Sequence, residues 1–180
     1  VKKIVEVGFG VNVLDELSAS YLNNLGEKGV KIRPVIPGLI EQLHSKSNIS
    51  EDDVVVVTSD FVDEEFLRYF VSEDYDYVFH LAAQPRVEFC VEHPAISTEI
   101  NLMKTVELLS ACRKINLKKF IFASSSATYG LSEHLPTIEN SELHPNSPYG
   151  LQKLAGEMFM KQFADLYNMD CTALRFFNVY

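Results

Sequence analysis

The chain has 180 residues, 47% of them hydrophobic and 23% charged, so it can bury one sizeable core and is expected to form one globular domain. Its formal net charge of −9 argues against a nucleic-acid partner, because binding a phosphate backbone requires clustered Lys and Arg side chains. No stretch approaches the roughly 18 consecutive apolar residues of a membrane span, and three cysteines without metal-ligand spacing indicate reduced thiols in a cytoplasmic protein.

Short apolar runs alternate with longer amphipathic stretches along the chain. The predicted strands are, in chain order, Lys3–Val7, Val54–Thr58, Tyr77–Ala82, Lys119–Ser124 and Cys171–Phe176. The predicted helices between them are Asp63–Val71, Ala95–Lys114 and Pro148–Tyr167. Alternation of this kind predicts an α/β fold with a doubly wound, Rossmann-like parallel sheet that helices cover on both faces.

A doubly wound sheet binds its ligand at the carboxyl ends of the strands, because these ends meet along one edge of the sheet. The residues at the predicted strand ends would therefore converge on one crevice; they are Gly8, Gly10, Asp60, His80 to Gln84, Ser124 to Ser126, Phe177 and Asn178. Since the chain as a whole is acidic, an anionic cofactor would need local donors such as Lys153 and Arg175.

Tyr149 and Lys153 stand four positions apart at the start of the last predicted helix, which places both on one helix face. We expect the Lys153 ammonium to lower the pKa of the Tyr149 phenol towards neutrality. Such a phenol can exchange a proton with a substrate hydroxyl while a nicotinamide ring takes the hydride, and a nearby serine can hold the substrate oxygen. The pattern predicts alcohol–ketone redox chemistry; the alternative is a chance pair on a surface helix.

The same helix carries two distinct faces. One groups Leu151, Leu154, Ala155, Met158 and Phe163, and the other, roughly opposite, groups Tyr149, Lys153, Gly156 and Met160. We expect such a helix to pack on the sheet and also to line a cleft or meet a second subunit, and we predict a homodimer.

Several sequence motifs occur in the order found in one enzyme family. They are Thr58 to Phe61, His80 to Gln84, Asn101, Phe122 to Gly130, Ser147 to Lys153 and Leu174 to Tyr180. From about Asp53 to Tyr180 the chain resembles the extended short-chain dehydrogenase/reductase family, and within it the NAD-dependent nucleotide-sugar epimerases and dehydratases.

The resemblance implies a role for each matching residue, with NAD as the cofactor. Ser125, Tyr149 and Lys153 would be catalytic, with Tyr149 as the acid–base and Lys153 on the nicotinamide ribose. The other cofactor contacts would be Asp60 and Phe61 at the adenine, Leu81, Ala82 and Ala83 along the phosphates and ribose, and Phe176 beside the nicotinamide. The substrate would meet Ser125, Ser126 and Asn178. Asn101 could instead satisfy backbone groups between sheet and helix.

Two positions help to choose the reaction. Dehydratases of this family carry an Asp-Glu pair directly after the catalytic hydroxyl, where this chain has Ser126 and Ala127, which cannot transfer a proton at neutral pH. The resemblance therefore implies a UDP-glucose 4-epimerase-like enzyme; UDP-glucose/UDP-galactose is the favoured pair, and N-acetylated or uronic sugars stay open. The alternatives are a 4,6-dehydratase, a reductase, or a non-catalytic dinucleotide-binding module.

The N-terminal segment departs from the family pattern, because only Gly8-Phe9-Gly10 stands where the family has three spaced glycines. In one alignment Val11–Asp15 is the second strand, Asp15 binds the adenosine ribose, and the first helix is absent. In the other, Val11–Leu25 is that helix and Val30–Ile36 the second strand. The first is preferred, because its Asp-x-Leu-Ser run is the closer match.

These expectations together assign residues 1–180 to one NAD-binding, Rossmann-like domain. It would be abbreviated near the glycine loop and truncated at the C-terminus, with the smaller substrate domain of the family largely absent.

Overall fold

The computed structural model describes residues 4–6, 32–33, 56–57, 64–72, 75–132 and 135–178. The chain divides into two compact units: Val1 with Gly8–Ser72, and Lys2–Val7 with Glu73–Tyr180. None of the described helices is long and apolar enough to cross a membrane.

In the first unit, strands β2 (Ile32–Arg33) and β3 (Val56–Val57) pair in parallel, followed by helix α1 (Glu64–Ser72). The strand at Ile32–Arg33 falls within the Val30–Ile36 run of the second N-terminal alignment, whereas the first alignment places no strand there. The structure thus favours the alignment that was not preferred. The segment from position 11 to 25, on which the two alignments differ most, lies outside the described residues.

In the second unit, four parallel strands form one sheet; they are β1 (Ile4–Glu6), β4 (Tyr77–His80), β5 (Lys119–Ser125) and β6 (Cys171–Phe176). Their order across the sheet is β1-β4-β5-β6. This order is one part of the doubly wound strand order that the sequence predicts. The predicted strand bounds agree with the observed ones to within two residues.

Helices connect these strands on one face of the sheet. Between β4 and β5 run α2 (Val87–Glu92), α3 (Pro94–Thr98), a π-helical turn (Glu99–Met103) and α4 (Lys104–Cys112). The last three correspond to the single helix predicted at Ala95–Lys114, whereas α2 was not predicted. A 3₁₀ turn (Ser126–Thr128) follows β5, and α5 (Pro148–Tyr167) matches its predicted bounds, with the Ser147 hydroxyl accepting the Gly150 N–H at 3.1 Å.

The core of this unit lies between the strands β4 and β5 and the helices α4 and α5. On β5, Phe120 and Phe122 are buried, and the Phe122 ring lies 3.0 Å from the point where a Cβ of Gly156 would stand. Glycine at this position therefore allows the helix to approach the sheet closely. The helix face that packs on the sheet is the one carrying Lys153 and Gly156. On the opposite, apolar face Leu151 and Met158 are exposed, at 58% and 63%, whereas Phe163 is buried.

Candidate active site

A cavity of about 360 Å³ opens at the carboxyl ends of the strands in the second unit. Eight residues that the sequence predicts as site residues line it: Leu81, Ala83, Ser125, Ser126, Tyr149, Lys153, Phe176 and Asn178. Ala82 is buried beside the cavity without lining it. Ser124 and Phe177, predicted at the crevice from the strand ends, also line it. Pro85 and Ala123 line it too, although no role was predicted for them.

Lys153 places a cation in the wall of this cavity. Its side chain is 1% exposed, and Nζ donates a hydrogen bond to the Ala123 carbonyl at 2.7 Å. Nζ also lies 4.7 Å from the ring centre of Phe122 and 5.8 Å from that of Tyr149. Burial lowers the pKa of Lys153 to about 8, so the side chain is still mostly charged at neutral pH. An ammonium has three donors, and Ala123 uses one of them.

The pKa of Tyr149 differs from the sequence-based expectation. Burial raises the pKa of this phenol above its ordinary value, and a hydrogen bond with the Ser125 side chain opposes that effect only in part. The expected lowering by Lys153 is not found; its ammonium donates to the Ala123 carbonyl. Tyr149 is therefore a protonated phenol at neutral pH in the chain without ligand.

Ser125 is held at the last position of β5 by the turn that follows it. Its Oγ accepts the Ala127 N–H at 3.2 Å, and its carbonyl accepts the Thr128 hydroxyl at 2.9 Å. Because Oγ acts as an acceptor towards Ala127, its own proton can be donated into the cavity. The hydroxyl and the phenol therefore face the same space, as the sequence predicts.

Two residues placed at the crevice from sequence have other positions. His80 is fully buried, its ring stacks on Phe122 with centroids 5.5 Å apart, and burial, with the charge of Lys153 adding to it, lowers its pKa to about 3. Arg175, expected as an anion donor, forms an ion pair with Glu157 at 2.7 Å and donates to the Tyr129 hydroxyl at 3.0 Å. A carboxylate within reach holds the guanidinium between α5 and β6, away from the cavity.

The proposed adenine-end contacts cannot be placed in this geometry. Gly8, Gly10, Asp15, Asp60 and Phe61 lie outside the described residues. Asn101, by contrast, satisfies backbone groups as the alternative reading expected: its side-chain oxygen accepts the Gln84 N–H at 2.6 Å, and its nitrogen donates to the Gln84 carbonyl at 3.1 Å.

Curated relatives match the chain along its whole length. A putative UDP-glucose 4-epimerase of Methanocaldococcus jannaschii is 32% identical over 181 residues, which cover 100% of this chain and 51% of the relative. A UDP-glucose 4-epimerase of Mycolicibacterium smegmatis has the same identity and the same coverage of both chains. The chain thus spans about half the length of these relatives.

Solved structures show the same similarity. UDP-glucose 4-epimerase from Thermotoga maritima, solved with UDP-glucose, is 34% identical with a TM-score of 0.68 over 91% of this chain and 53% of that one. The Brucella ovis UDP-glucose 4-epimerase, solved with NAD, is 35% identical with a TM-score of 0.66 over 70% of this chain and 39% of that one. The model of the NAD dependent epimerase/dehydratase family matches residues 21–180, and the chain belongs to that family.

Proposed function

We propose that the protein catalyses the NAD-dependent epimerisation of a nucleotide sugar at C4, and that residues 1–180 form its NAD-binding domain. The observation that carries the proposal is that Ser125, Tyr149 and Lys153, from a strand end and a helix start, line one cavity. A hydroxyl, a phenol and a buried cation around one space are the groups needed to move a proton at a carbinol oxygen.

The cavity suits the nicotinamide end of NAD. Leu81, Ala83 and Phe176 offer apolar surface for a flat ring, and the Lys153 ammonium offers unused donors for ribose hydroxyls. Bound NAD would supply the acceptor for the hydride from C4. Gly8, Gly10, Asp60 and Phe61 are proposed for its other end, on the motif resemblance alone. Asp15 is not proposed, because its role belongs to the first N-terminal alignment, which the strand at Ile32–Arg33 does not favour.

The side chains of this chain have distinct tasks in the proposal. Tyr149 exchanges the proton of the C4 hydroxyl at its phenolic oxygen, and the Ser125 hydroxyl holds the sugar oxygen in line. Lys153 orients the ribose through the donors that the Ala123 carbonyl leaves unused. Asn178 and Ser126, both in the cavity wall, are proposed to bind the substrate diphosphate and the sugar respectively.

The reaction is assigned to epimerisation because the positions after Ser125 are Ser126 and Ala127. Elimination of water from the sugar needs an additional acid and base, and neither side chain supplies one. UDP-glucose and UDP-galactose are the proposed pair, in keeping with the substrates named for the two epimerases solved and the two relatives described above.

A cytoplasmic homodimer is also part of the proposal. Its support is the exposed apolar face of α5, where Leu151, Met158 and Leu166 are all uncovered. Burial of such a face against a second copy would remove it from water. Sedimentation velocity should show a dimer that Met158→Lys dissociates, whereas Lys161→Met, at an exposed position of the same helix, should not; a monomeric native protein would contradict this part.

The function is tested on the purified protein by two measurements. Heat denaturation should release a nucleotide with the absorbance of NAD, and incubation with UDP-galactose should yield UDP-glucose. Conversion of an N-acetylated or uronic UDP-sugar instead would correct the substrate. A folded protein that neither retains nor binds NAD would overturn the proposal in favour of a non-enzymatic role.

A further inference from the structure

One wall of the cavity is the loop from Leu81 to Arg86, which has no regular secondary structure. Leu81, Ala83 and Pro85 line the cavity from this loop. The backbone of Gln84 is held from behind by Asn101, whose amide pairs with both the N–H and the carbonyl of Gln84. The position of the loop therefore depends on how the Asn101 amide is oriented.

Only one orientation of the Asn101 amide satisfies Gln84. Its oxygen must face the Gln84 N–H and its nitrogen must face the Gln84 carbonyl, so the second N–H of Asn101 points away from the loop. That N–H meets Gln152 on α5, whose Oε1 accepts it at 2.7 Å. Gln152 is 3% exposed and Asn101 is 1% exposed, so water cannot readily replace either partner.

The other end of the Gln152 amide is also fixed. Its nitrogen donates to Ser97 Oγ at 2.9 Å and to Thr98 Oγ1 at 3.0 Å, both at the end of α3. Reversal of the amide would bring two N–H donors, from Gln152 and Asn101, against each other. The hydroxyls of Ser97 and Thr98 therefore hold Gln152 in the orientation that Asn101 requires.

We propose that Gln152 is a positioning residue that sets the Leu81–Arg86 wall of the cavity through Asn101. Gln152 directly precedes Lys153, which is bonded to the carbonyl of Ala123 on β5. Two consecutive residues of α5 therefore make two different connections. Lys153 is hydrogen-bonded to the sheet, and Gln152 links the Leu81–Arg86 loop to the helix through Asn101. That this wall matters for NAD binding rests on the proposed function. The hydrogen bonds from Gln152 through Asn101 to Gln84 do not depend on it.

The contact is tested without ligand by amide hydrogen exchange. Gln152→Leu keeps the side-chain volume and removes both hydrogen-bonding ends, so exchange at the Gln84 amide should accelerate about tenfold, the cost of one unsatisfied buried partner. Gln162→Leu, at an exposed position of the same helix, should leave Gln84 unchanged. Unchanged protection of Gln84 in a folded Gln152→Leu protein overturns the proposal.

A milder variant covers the case in which Gln152→Leu does not fold. Replacing Ser97 with Ala and Thr98 with Val removes the partners of the Gln152 nitrogen while leaving its oxygen on Asn101. A smaller acceleration at Gln84, of about threefold, is expected, and no acceleration overturns the proposal.

The consequence for NAD is measured by titration of the same variants. If the native protein binds NAD, Gln152→Leu should raise Kd about tenfold while Gln162→Leu leaves it unchanged. Faster exchange at Gln84 with an unaltered Kd would overturn the role of Gln152 in the site. Failure of the native protein to bind NAD would instead count against the proposed function, with the exchange result still deciding the contact.

Discussion

The two sides of the cavity are built differently. On the side of β5 and α5, Lys153 is fully buried and bonded to the Ala123 carbonyl, and Ser125 is fixed by the turn that follows it. The opposite side is a rim formed by two exposed residues that line the cavity, Leu81 at 47% and Phe177 at 59% exposure. Groups proposed for proton transfer thus sit on rigid elements, whereas the rim offers apolar surface that a ligand can cover.

The buried side chains therefore fix the geometry of the reacting groups, whereas the exposed apolar side chains contribute to ligand binding. A buried, hydrogen-bonded side chain has one accessible geometry, and small errors in geometry are costly for proton transfer. An exposed apolar side chain has little to lose from substitution until a ligand covers it. Changes on the first side should therefore affect the reaction or the fold strongly, and changes on the rim should affect the free protein weakly.

The largest effect is expected for Tyr149→Phe. The variant lacks only the phenolic oxygen, so epimerase turnover should fall about a hundredfold to ten-thousandfold while bound NAD is retained. Turnover and the nucleotide released on denaturation are measured side by side. Tyr167→Phe, on the exposed part of the same helix, is the control and should behave as the native protein. Near-native turnover of Tyr149→Phe would remove Tyr149 from the proposed chemistry.

A strong effect on folding is expected at the start of α5. A Cβ at Gly150 would stand 2.4 Å from the Ala127 carbonyl oxygen, so Gly150→Ala should lower the free energy of unfolding by about 1–3 kcal/mol. A Cβ at Gly156 would meet the Phe122 ring at 3.0 Å, which is a less close contact, and the better helix propensity of alanine offsets part of its cost. Urea denaturation of both variants compares them, and equal stabilities would contradict the prediction.

A moderate effect is expected from pH. The pKa of Lys153 is lowered to about 8, so its ammonium is present below that pH and is lost as the pH rises through it. The Kd for NAD should therefore rise several-fold between pH 7 and pH 9, on the order of 1 kcal/mol. In Lys153→Met the affinity should be weaker at pH 7 and independent of pH. Lys161→Met, an exposed control, should keep the native slope.

The smallest effect is expected at the rim. Phe177→Ala removes a ring that stacks on Tyr129 with centroids 6.3 Å apart but is mostly in water, so the free energy of unfolding should change by less than about 0.5 kcal/mol. The buried Phe120 gives the contrast, since Phe120→Ala should cost about 3–5 kcal/mol. Comparable losses for the two variants would show that the rim is as structural as the core.

Much of the fold could be predicted because its signals are local. Alternating apolar runs indicated β4, β5 and β6 to within two residues, and the loop with Ser147 and Pro148 indicated the start of α5. The π-helical turn at Glu99–Met103 could not be predicted, because no single residue marks it. The strand at Ile32–Arg33 belongs to the alignment that was not preferred, because the Asp-x-Leu-Ser motif was given more weight than the apolar run Val30–Ile36.

The sequence alone determined the order of the elements and placed Ser125 at a strand end and Tyr149 and Lys153 at a helix start, because hydrophobic periodicity and chain order are properties of neighbouring residues. Tertiary structure alone decided which face of α5 is buried, that Arg175 is held by Glu157, and that burial raises the pKa of Tyr149. The bond between Asn101 and Gln152 joins residues 51 positions apart. Contacts and burial of this kind depend on how distant segments pack, which no local pattern records.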